Sequence, residues 1–370
     1  MRIVFFTRRE LASSLAGGSE LLVDRLAAGA ADRGHQVDLV AAGPVGPRRY
    51  ATHDGGGRYT QYLRAPLTYA GRMRGADLVV DVANGLSFFV PLWCPAPAIC
   101  LINHLHTEQW RQWFPAPLAA LGRSLERRGI PAAYRNHLFI AVSRSTAAAL
   151  EDIGVDAHRI RIVPNGIDLD EPAEPKSADP LFLCLSRLVP HKRIELALEA
   201  WERVRPQTGG RLVIAGDGPE RDRLESMAGE AVTFVGHVTE EHKRRLLAQA
   251  WLLVHPALVE GWGLVVMEAA AARTPTIAFD VPGLRDSVVD GVTGLLTSTE
   301  DAFSDAWKVL ASDPTRRALL GERARGRAKA FDWSSSIDQF LLVAEEAVAL
   351  GGVVPFSPGP TMERGWTSPS

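Results

Sequence analysis

Short apolar runs alternate with helical patterns along most of the chain, and this alternation limits the possible folds more than any other feature. Five runs lie in the first part of the sequence, at residues 3–6, 37–41, 78–80, 99–102 and 138–142. Five more follow, at residues 181–185, 212–215, 232–235, 252–255 and 276–279. Apolar runs of this length between helices are typical of parallel strands that are covered on both faces. The pattern predicts two doubly wound, Rossmann-like α/β domains that face each other across a cleft.

The segment between the two sets of runs has the composition of a linker. The chain has 370 residues, which is more than the roughly 250–300 residues that a single hydrophobic core supports. A further strand-like run at residues 160–163 is followed by Pro-Asn-Gly at residues 164–166, and residues 168–180 carry three prolines among acidic side chains. We therefore predict an N-terminal domain at residues 1–166 and a C-terminal domain at residues 167–333. Residues 334–350 have helical periodicity, and residues 351–370 are rich in Gly, Pro and Ser, which predicts a disordered tail.

A pair of carboxylates flanks a glycine-rich turn in the second half of the chain. Residues 259–272 read VEGWGLVVMEAAAA directly after an apolar run, so Glu260 falls in the loop at the carboxyl end of a predicted strand. The amides of Gly263 and Leu264 would begin the next helix, and a helix N-terminus favours an anion. Glu268 lies more than one turn into that helix. Two hydroxyl-binding carboxylates beside a phosphate site predict a pocket for a sugar nucleotide.

The Glu-x7-Glu spacing within EGWGLVVMEAAA resembles the motif of the retaining GT-B glycosyltransferases of family 4. The resemblance extends from Gly17-Gly18 to about residue 333 and implies the GT-B fold, with a C-terminal helix that crosses back to the first domain. It also implies a retaining, metal-independent glycosyltransferase of the hexosyltransferase type. Such an enzyme moves a sugar from a nucleotide sugar to a glycan, a lipid-linked molecule or a small molecule. Three cysteines in apolar surroundings, Cys94, Cys100 and Cys184, indicate reduced thiols and therefore predict a cytoplasmic location, with peripheral contact at the inner face of the membrane as an open alternative.

The resemblance also assigns roles to individual residues of the second domain. Glu260 would bind hydroxyls of the donor sugar near the reacting carbon, and Glu268 would bind the ribose. Arg187 and Lys192 follow the first predicted strand of this domain and would stabilise the departing diphosphate, where fixed positive charge has its largest catalytic effect. The remaining donor-binding positions lie in loops after predicted strands; they are Gly216, Val238, Gly261, Trp262, Gly263 and Leu264.

Two loops of the first domain are implied to reach the same cleft. Gly17 and Gly18 follow the first predicted strand, and glycines there let backbone amides approach the diphosphate. A histidine after the run at residues 99–102 would lie close to the donor sugar and the acceptor. We assign this role to His104, with His106 as the less favoured alternative.

The stretch from Trp110 to Arg128 combines three aromatic and four basic side chains with one acidic residue. This combination is typical either of a surface that binds a membrane or a lipid-linked acceptor, or of core aromatics with a solvated face. Both alternatives stay open at this point.

Composition and spacing exclude several other kinds of function. The formal net charge of −2 argues against nucleic-acid binding, which favours a basic domain. Asp168 and Asp170 form an Asp-x-Asp sequence in the linker, where no predicted strand positions them, so we interpret this sequence as coincidence. We expect no metal and no cofactor, because Arg187, Lys192 and the helix dipole already supply positive charge beside the nucleotide-sugar substrate. Two other functions remain possible, namely a nucleotide-sugar epimerase on the same fold and a non-catalytic nucleotide-sugar-binding scaffold. A full set of four charged site residues favours the transferase over the scaffold; these are Arg187, Lys192, Glu260 and Glu268.

Overall fold

Two parallel β-sheets, each flanked by helices, form the framework of the protein. The structure is a computed structural model that describes residues 1–10, 17–43, 46–107, 109–172 and 174–352. Within those ranges the first sheet has seven parallel strands in the order β3-β2-β1-β4-β5-β6-β7. Its strands are β1 (Arg2–Arg9), β2 (Gln36–Ala42), β3 (Ala51–Gly56), β4 (Leu78–Ala83), β5 (Ala98–Ile102), β6 (Leu138–Ala141) and β7 (Ile160–Ile162).

The second sheet has six parallel strands in the described residues, in the order β10-β9-β8-β11-β12-β13. Its strands are β8 (Leu181–Leu185), β9 (Arg211–Ala215), β10 (Val232–Gly236), β11 (Leu252–His255), β12 (Thr276–Phe279) and β13 (Gly294–Thr297). In both sheets the chain order reverses beside the first strand, between β1 and β4 and between β8 and β11. In open sheets of this kind, ligands bind at the carboxyl ends of the strands on either side of the reversal.

The helices cover both faces of the two sheets. Those before β8 are α1 (Gly18–Asp32), α2 (Thr60–Thr68), α3 (Trp110–Trp113), α4 (Ala116–Ser124), α5 (Ile130–Ala133) and α6 (Arg144–Asp152). Those after β8 are α7 (Ile194–Thr208), α8 (Arg221–Met227), α9 (Glu240–Gln249), α10 (Leu264–Ala271), α11 (Leu284–Ser287), α12 (Glu300–Ser312), α13 (Pro314–Ala328) and α14 (Trp333–Ala349). Single turns of 3₁₀-helix lie at Val90–Leu92, Ala157–Arg159 and Pro190–Lys192, and π-helical turns lie at Tyr69–Met73 and Leu125–Gly129.

The last described helix, α14, returns to the first domain. Its apolar stripe includes Ile337, Phe340 and Ala344, which are buried in the same core as β1 and α1. The Phe340 ring lies 5.6 Å from the ring of Phe5 in β1. The helix therefore joins the two domains, as the resemblance implied.

The structure confirms the predicted fold class, and each of the ten apolar runs lies in or overlaps a strand. Two strands were not predicted, β3 and β13. β3 reads ATHDGG and lies at the sheet edge, where a strand needs little apolar character. The strand sets fall on either side of residue 166, although the exact domain boundary stays a prediction. Of the predicted tail, residues 353–370 lie outside the described residues. No helix in the described ranges is long and apolar enough to cross a membrane.

Candidate functional site

The reversal point of the second sheet brings Lys192 and Glu260 into direct contact. Lys192 lies in the loop after β8, and Glu260 lies in the loop after β11. Their side chains form an ion pair in which 11% and 16% of the respective side chains remain exposed. His255, the last residue of β11, lies with Nε2 3.0 Å from Glu260 Oε1. Two sequence-predicted residues thus meet at the position where this fold binds ligands, and His255 is a third member that the sequence did not predict.

The Lys192 charge decides the ionisation of Glu260. Burial favours the neutral carboxyl, but the neighbouring Lys192 ammonium and the His255 hydrogen bond lower the pKa of Glu260 below its usual range. Glu260 is therefore a carboxylate at neutral pH, able to accept hydrogen bonds from sugar hydroxyls.

The loop that carries Glu260 touches the first domain at the end of β5. A Cβ atom on Gly261 would lie 2.2 Å from the carbonyl oxygen of Asn103, so only glycine allows this approach. The same Cβ would lie 3.6 Å from Cβ of His104. The structure thus brings His104, from the first domain, next to the loop that carries Glu260.

His104 is a neutral imidazole in this environment. Burial is the main cause that lowers its pKa to about 4; the charge of Glu260 opposes this shift, and the charges of Lys192 and Arg187 contribute to it. The His104 ring stacks on His106 with centroids 4.2 Å apart. His106 is buried behind it, and its backbone amide donates to Glu126 Oε1 at 2.6 Å. This placement favours His104 over His106 as the ring that faces the ligand.

The predicted diphosphate ligands converge from both domains. A Cβ on Gly17 would lie 3.7 Å from Nε of the exposed Arg187, and a Cβ on Gly18 would lie 3.5 Å from Cδ2 of Leu264. Gly263 has φ +75° and precedes α10. Among the described residues, no group accepts a hydrogen bond from the amide of Gly263 or Leu264. These two amides are free to bind an anion.

The amide of Gly17 is already occupied. It donates to Glu20 Oε2 at 2.9 Å, in a capping arrangement at the start of α1. Binding of diphosphate by this amide, as predicted, requires that Glu20 first release it. Glu20 is a second site residue that the sequence did not indicate.

Glu268 lies in α10 and is paired with a lysine from α9. Lys243 Nζ is 2.8 Å from Glu268 Oε1 and also 2.8 Å from Glu240 Oε2. Burial raises the pKa of Glu268, and the Lys243 charge opposes that rise. Lys243 was not predicted, because no sequence spacing relates it to Glu268.

The other predicted donor-binding positions differ in burial and in their contacts. Gly216 follows β9, and its amide donates to the carbonyl of Gly236 at 2.8 Å. Val238 is half-buried just beyond β10. The Trp262 ring, by contrast, is buried against Phe331 with centroids 4.9 Å apart. Only the backbone of Trp262 is therefore placed to contact a donor.

In the described part of the chain, no group of three or more His, Cys, Asp or Glu side chains is arranged to hold a metal ion. The Asp168 carboxylate lies 2.8 Å from Arg25 and 3.2 Å from Arg244, and Asp170 lies 2.8 Å from Arg244. These aspartates form ion pairs between α1, the linker and α9. The expectation that the protein uses no metal stays a prediction.

The aromatic-basic stretch from Trp110 to Arg128 divides between the cleft and the outer surface. The Trp113 ring lies 5.6 Å from His106 and 6.4 Å from His191, so Trp113 lines the cleft. Trp110 packs over Gly122 and donates to Glu126 Oε2 at 3.2 Å. Arg123, Arg127 and Arg128 line an open groove of about 480 Å³ on the outer surface.

Comparisons with known proteins agree with this geometry. A family model described as Glycosyltransferase Family 4 matches residues 16–171, and one described as Glycosyl transferases group 1 matches residues 168–327. Together they account for most of the chain. The chain belongs to the GT-B glycosyltransferases of the family 4 type.

Curated relatives match only part of the chain. It is 31% identical over 198 residues to a glycogen synthase of Mycobacterium tuberculosis, covering 50% of this chain and 48% of the relative. It is 32% identical over 241 residues to a D-inositol 3-phosphate glycosyltransferase of Xylanimonas cellulosilytica, covering 56% and 57%. The chain thus spans about half the length of these relatives.

Solved structures match the chain over nearly its whole length. HepE of Anabaena in complex with UDP and glucose has a TM-score of 0.76 at 19% identity, covering 94% of this chain and 100% of HepE. Sucrose-phosphate synthase of Thermosynechococcus elongatus has a TM-score of 0.80 at 23% identity, covering 94% and 99%. These matches establish the shared GT-B fold.

Proposed function

We propose that the protein transfers a sugar from a nucleotide-sugar donor to an acceptor hydroxyl, with retention of anomeric configuration and without a metal ion. The observation that carries the proposal is the Lys192–Glu260 pair at the reversal point of the second sheet. It lies opposite His104 of the first domain, with Arg187 beside Gly17 at the same cleft. A cation and a carboxylate are thus fixed where a leaving group and a sugar would meet.

Donor binding depends mainly on the second domain. Glu268 accepts hydrogen bonds from the ribose hydroxyls, and the charge of Lys243 opposes the rise that burial causes in the pKa of this carboxyl. The diphosphate lies at the free amides of Gly263 and Leu264, beside Arg187. UDP-sugars are the first donors to test, because HepE was solved with UDP and with UDP-glucose.

The chemical step breaks the bond between the anomeric carbon and the diphosphate oxygen. Negative charge grows on that oxygen, and Lys192 and Arg187 stabilise it in a site that needs no rearrangement during the reaction. The acceptor hydroxyl attacks the same face from which the diphosphate leaves, and its proton passes to the departing phosphate oxygen. Glu260 holds the donor-sugar hydroxyls, and neutral His104 forms hydrogen bonds to the sugar or the acceptor.

Acceptor binding falls to the first domain, near His104 and Trp113. The relatives named for D-inositol 3-phosphate make this polyol phosphate one acceptor to include in a panel with glycans and lipid-linked sugars. A membrane-bound acceptor is supported by the exposed Leu118 and Leu121 of α4 and by Arg127 and Arg128 in the π-helical turn that follows α4. Trp113 does not belong to that surface, because its ring lies in the cleft.

Incubation with a panel of nucleotide sugars and acceptors, in buffer with a metal chelator, tests the proposal. We expect nucleoside diphosphate release that depends on both substrates, and a product whose mass equals that of the acceptor plus one sugar. Release without an acceptor, together with a changed sugar, would instead indicate an epimerase.

A further inference from the structure

Three arginines lie at the cleft-facing edge of the first sheet, apart from the residues described above. Arg8 and Arg9 end β1, and Arg58 follows β3 by two residues. In a parallel sheet the carboxyl ends of the strands lie at one edge. All three arginines therefore belong to the side of the first domain that faces the donor.

A buried glutamine joins the two loops that carry Arg8 and Arg58. Gln61 is only 2% exposed, and its Nε2 donates to the carbonyl of Arg8 and to the carbonyl of Arg58, each at 3.1 Å. The Arg58 guanidinium lies 5.1 Å from the ring centroid of Tyr59. The two cationic residues are thus held next to each other by a specific contact.

Little negative charge balances this arrangement. Glu20 lies 3.9 Å from Arg9, but among the described residues no carboxylate lies within 4.0 Å of the Arg8 or Arg58 guanidinium. Burial lowers the pKa of the half-buried Arg8, and the charge of Arg58 lowers it further against the opposing effect of Tyr62. Arg58 is exposed, so the cost falls on the half-buried Arg8, which lies partly out of water beside a like charge, and a bound anion recovers that free energy.

The position of Arg8 distinguishes it from the diphosphate ligands. Arg9 is the member close to Glu20 and Arg187, beside the predicted diphosphate. Arg8 lies near Tyr62 and acts on the buried His106, whose pKa it helps to lower after burial and His104. Arg8 thus lies toward His106 and Trp113, where we propose that the acceptor binds, and Gln61 joins the loop of Arg58 to it.

We propose that Arg8 and Arg58 bind a phosphate group carried by the acceptor, so that the acceptor is a phosphorylated sugar or polyol. Two guanidinium groups match the geometry of a phosphate, which they bind through paired, charge-assisted hydrogen bonds. This assignment names the acceptor class of the transferase proposed above and rests on that function.

Matched acceptor pairs test the assignment by kinetics. Each pair consists of a sugar or polyol with and without one phosphate monoester, and a sugar phosphate on a lipid carrier in detergent micelles forms a separate arm. We expect the phosphorylated member to have the higher kcat/KM. Arg8→Gln and Arg58→Gln should each raise its KM by about 10- to 100-fold, the loss typical of a hydrogen bond to a charged group, while the donor KM stays unchanged.

Arg72→Gln is the control. Arg2 Nη2 donates to the Arg72 carbonyl at 3.0 Å, so Arg72 lies at the amino end of β1, about 20 Å from Arg8 at ~3.3 Å per strand residue. Preference for the lipid arm over the soluble arm would assign the phosphate to a lipid headgroup. Equal use of both members of every pair, or a rise in the donor KM for Arg8→Gln, would overturn the proposal.

A binding measurement tests the same point without turnover. The protein is saturated with whichever of UDP, GDP and ADP binds, which fills the diphosphate site, and is then titrated with inorganic phosphate. Phosphate should bind to the unmodified protein and to Arg72→Gln, and at least 10-fold more weakly to Arg8→Gln. Absence of phosphate binding would refute the acceptor site, whereas absence of nucleotide binding would refute the transferase function itself.

Discussion

Replacement of Lys192 by alanine tests the role assigned to the charged pair. The Lys192 ammonium contacts Glu260 and lies where the leaving group acquires charge, so its removal acts on the transition state more than on donor binding. Loss of one preorganised stabilising group lowers kcat by about 10²–10³. We therefore expect a kcat loss of that size, with the donor KM changed by less than about threefold.

The variant should remain folded, although it is less stable. Breaking a buried ion pair costs about 3–5 kcal/mol. Because 11% and 16% of these side chains remain exposed, the loss should lie near or below 3 kcal/mol. For a domain of 150–250 residues this lowers the melting temperature by roughly 6–12 °C at most. His255 remains as a partner of Glu260, which limits the loss further.

Steady-state kinetics at 25 °C, with a melting curve for each protein, measures both effects. Lys329→Ala serves as the matched control, because Lys329 is an exposed lysine outside the cleft. An unchanged kcat with a raised donor KM would refute the transition-state role of Lys192.

Three further predictions concern donor binding by Glu268, the ionisation of His104 and the contribution of Glu126 to stability. Glu268→Ala should raise the donor KM and the nucleotide Kd in calorimetry by about 10- to 100-fold, with little effect on kcat; a kcat loss at constant Kd would contradict the ribose assignment. Because burial lowers the pKa of His104 to about 4, the kcat–pH profile should show no limb near pH 6.5 attributable to this ring; a limb there that His104→Gln abolishes would contradict it. Burial raises the pKa of Glu126 to about 7, above its unfolded value near 4.5. Folding therefore favours the protonated Glu126 carboxyl. The stability that this gives is fully present below pH 4.5 and is lost as pH rises through 7. The melting temperature of the unmodified protein should fall across this window relative to Glu126→Gln, and parallel curves would refute the shift.

The strand framework could be predicted because parallel strands covered on both faces need continuous apolar runs, as in Leu181–Leu185. The edge strand β3 could not, because its sequence ATHDGG resembles a loop. β13 has only four residues and reads GLLT, so its apolar run is just two residues long. In both, pairing with a neighbouring strand supplies the stability that the local sequence lacks.

The candidate site was predicted only in part, for a related reason. Lys192 and Glu260 each follow a strand in a recognisable local pattern, and the structure brings them together. Lys243 reaches Glu268 only because α9 packs beside α10, and no spacing in the sequence reports that contact. His255 did offer a signal, since a polar residue ends an otherwise apolar run five residues before Glu260. The Trp262 ring packs against Phe331, and no spacing in the sequence reports that contact either.

The central claim is that this cleft transfers a sugar to an acceptor on the face from which the diphosphate leaves. The most direct test is proton NMR of the reaction as it proceeds, with an α-linked nucleotide sugar, an accepted acceptor and a metal chelator. The account predicts that the first product formed carries an α-linkage, and that nucleoside diphosphate accumulates at the same rate. A β-linked first product, or nucleotide release at the same rate without acceptor, would contradict it.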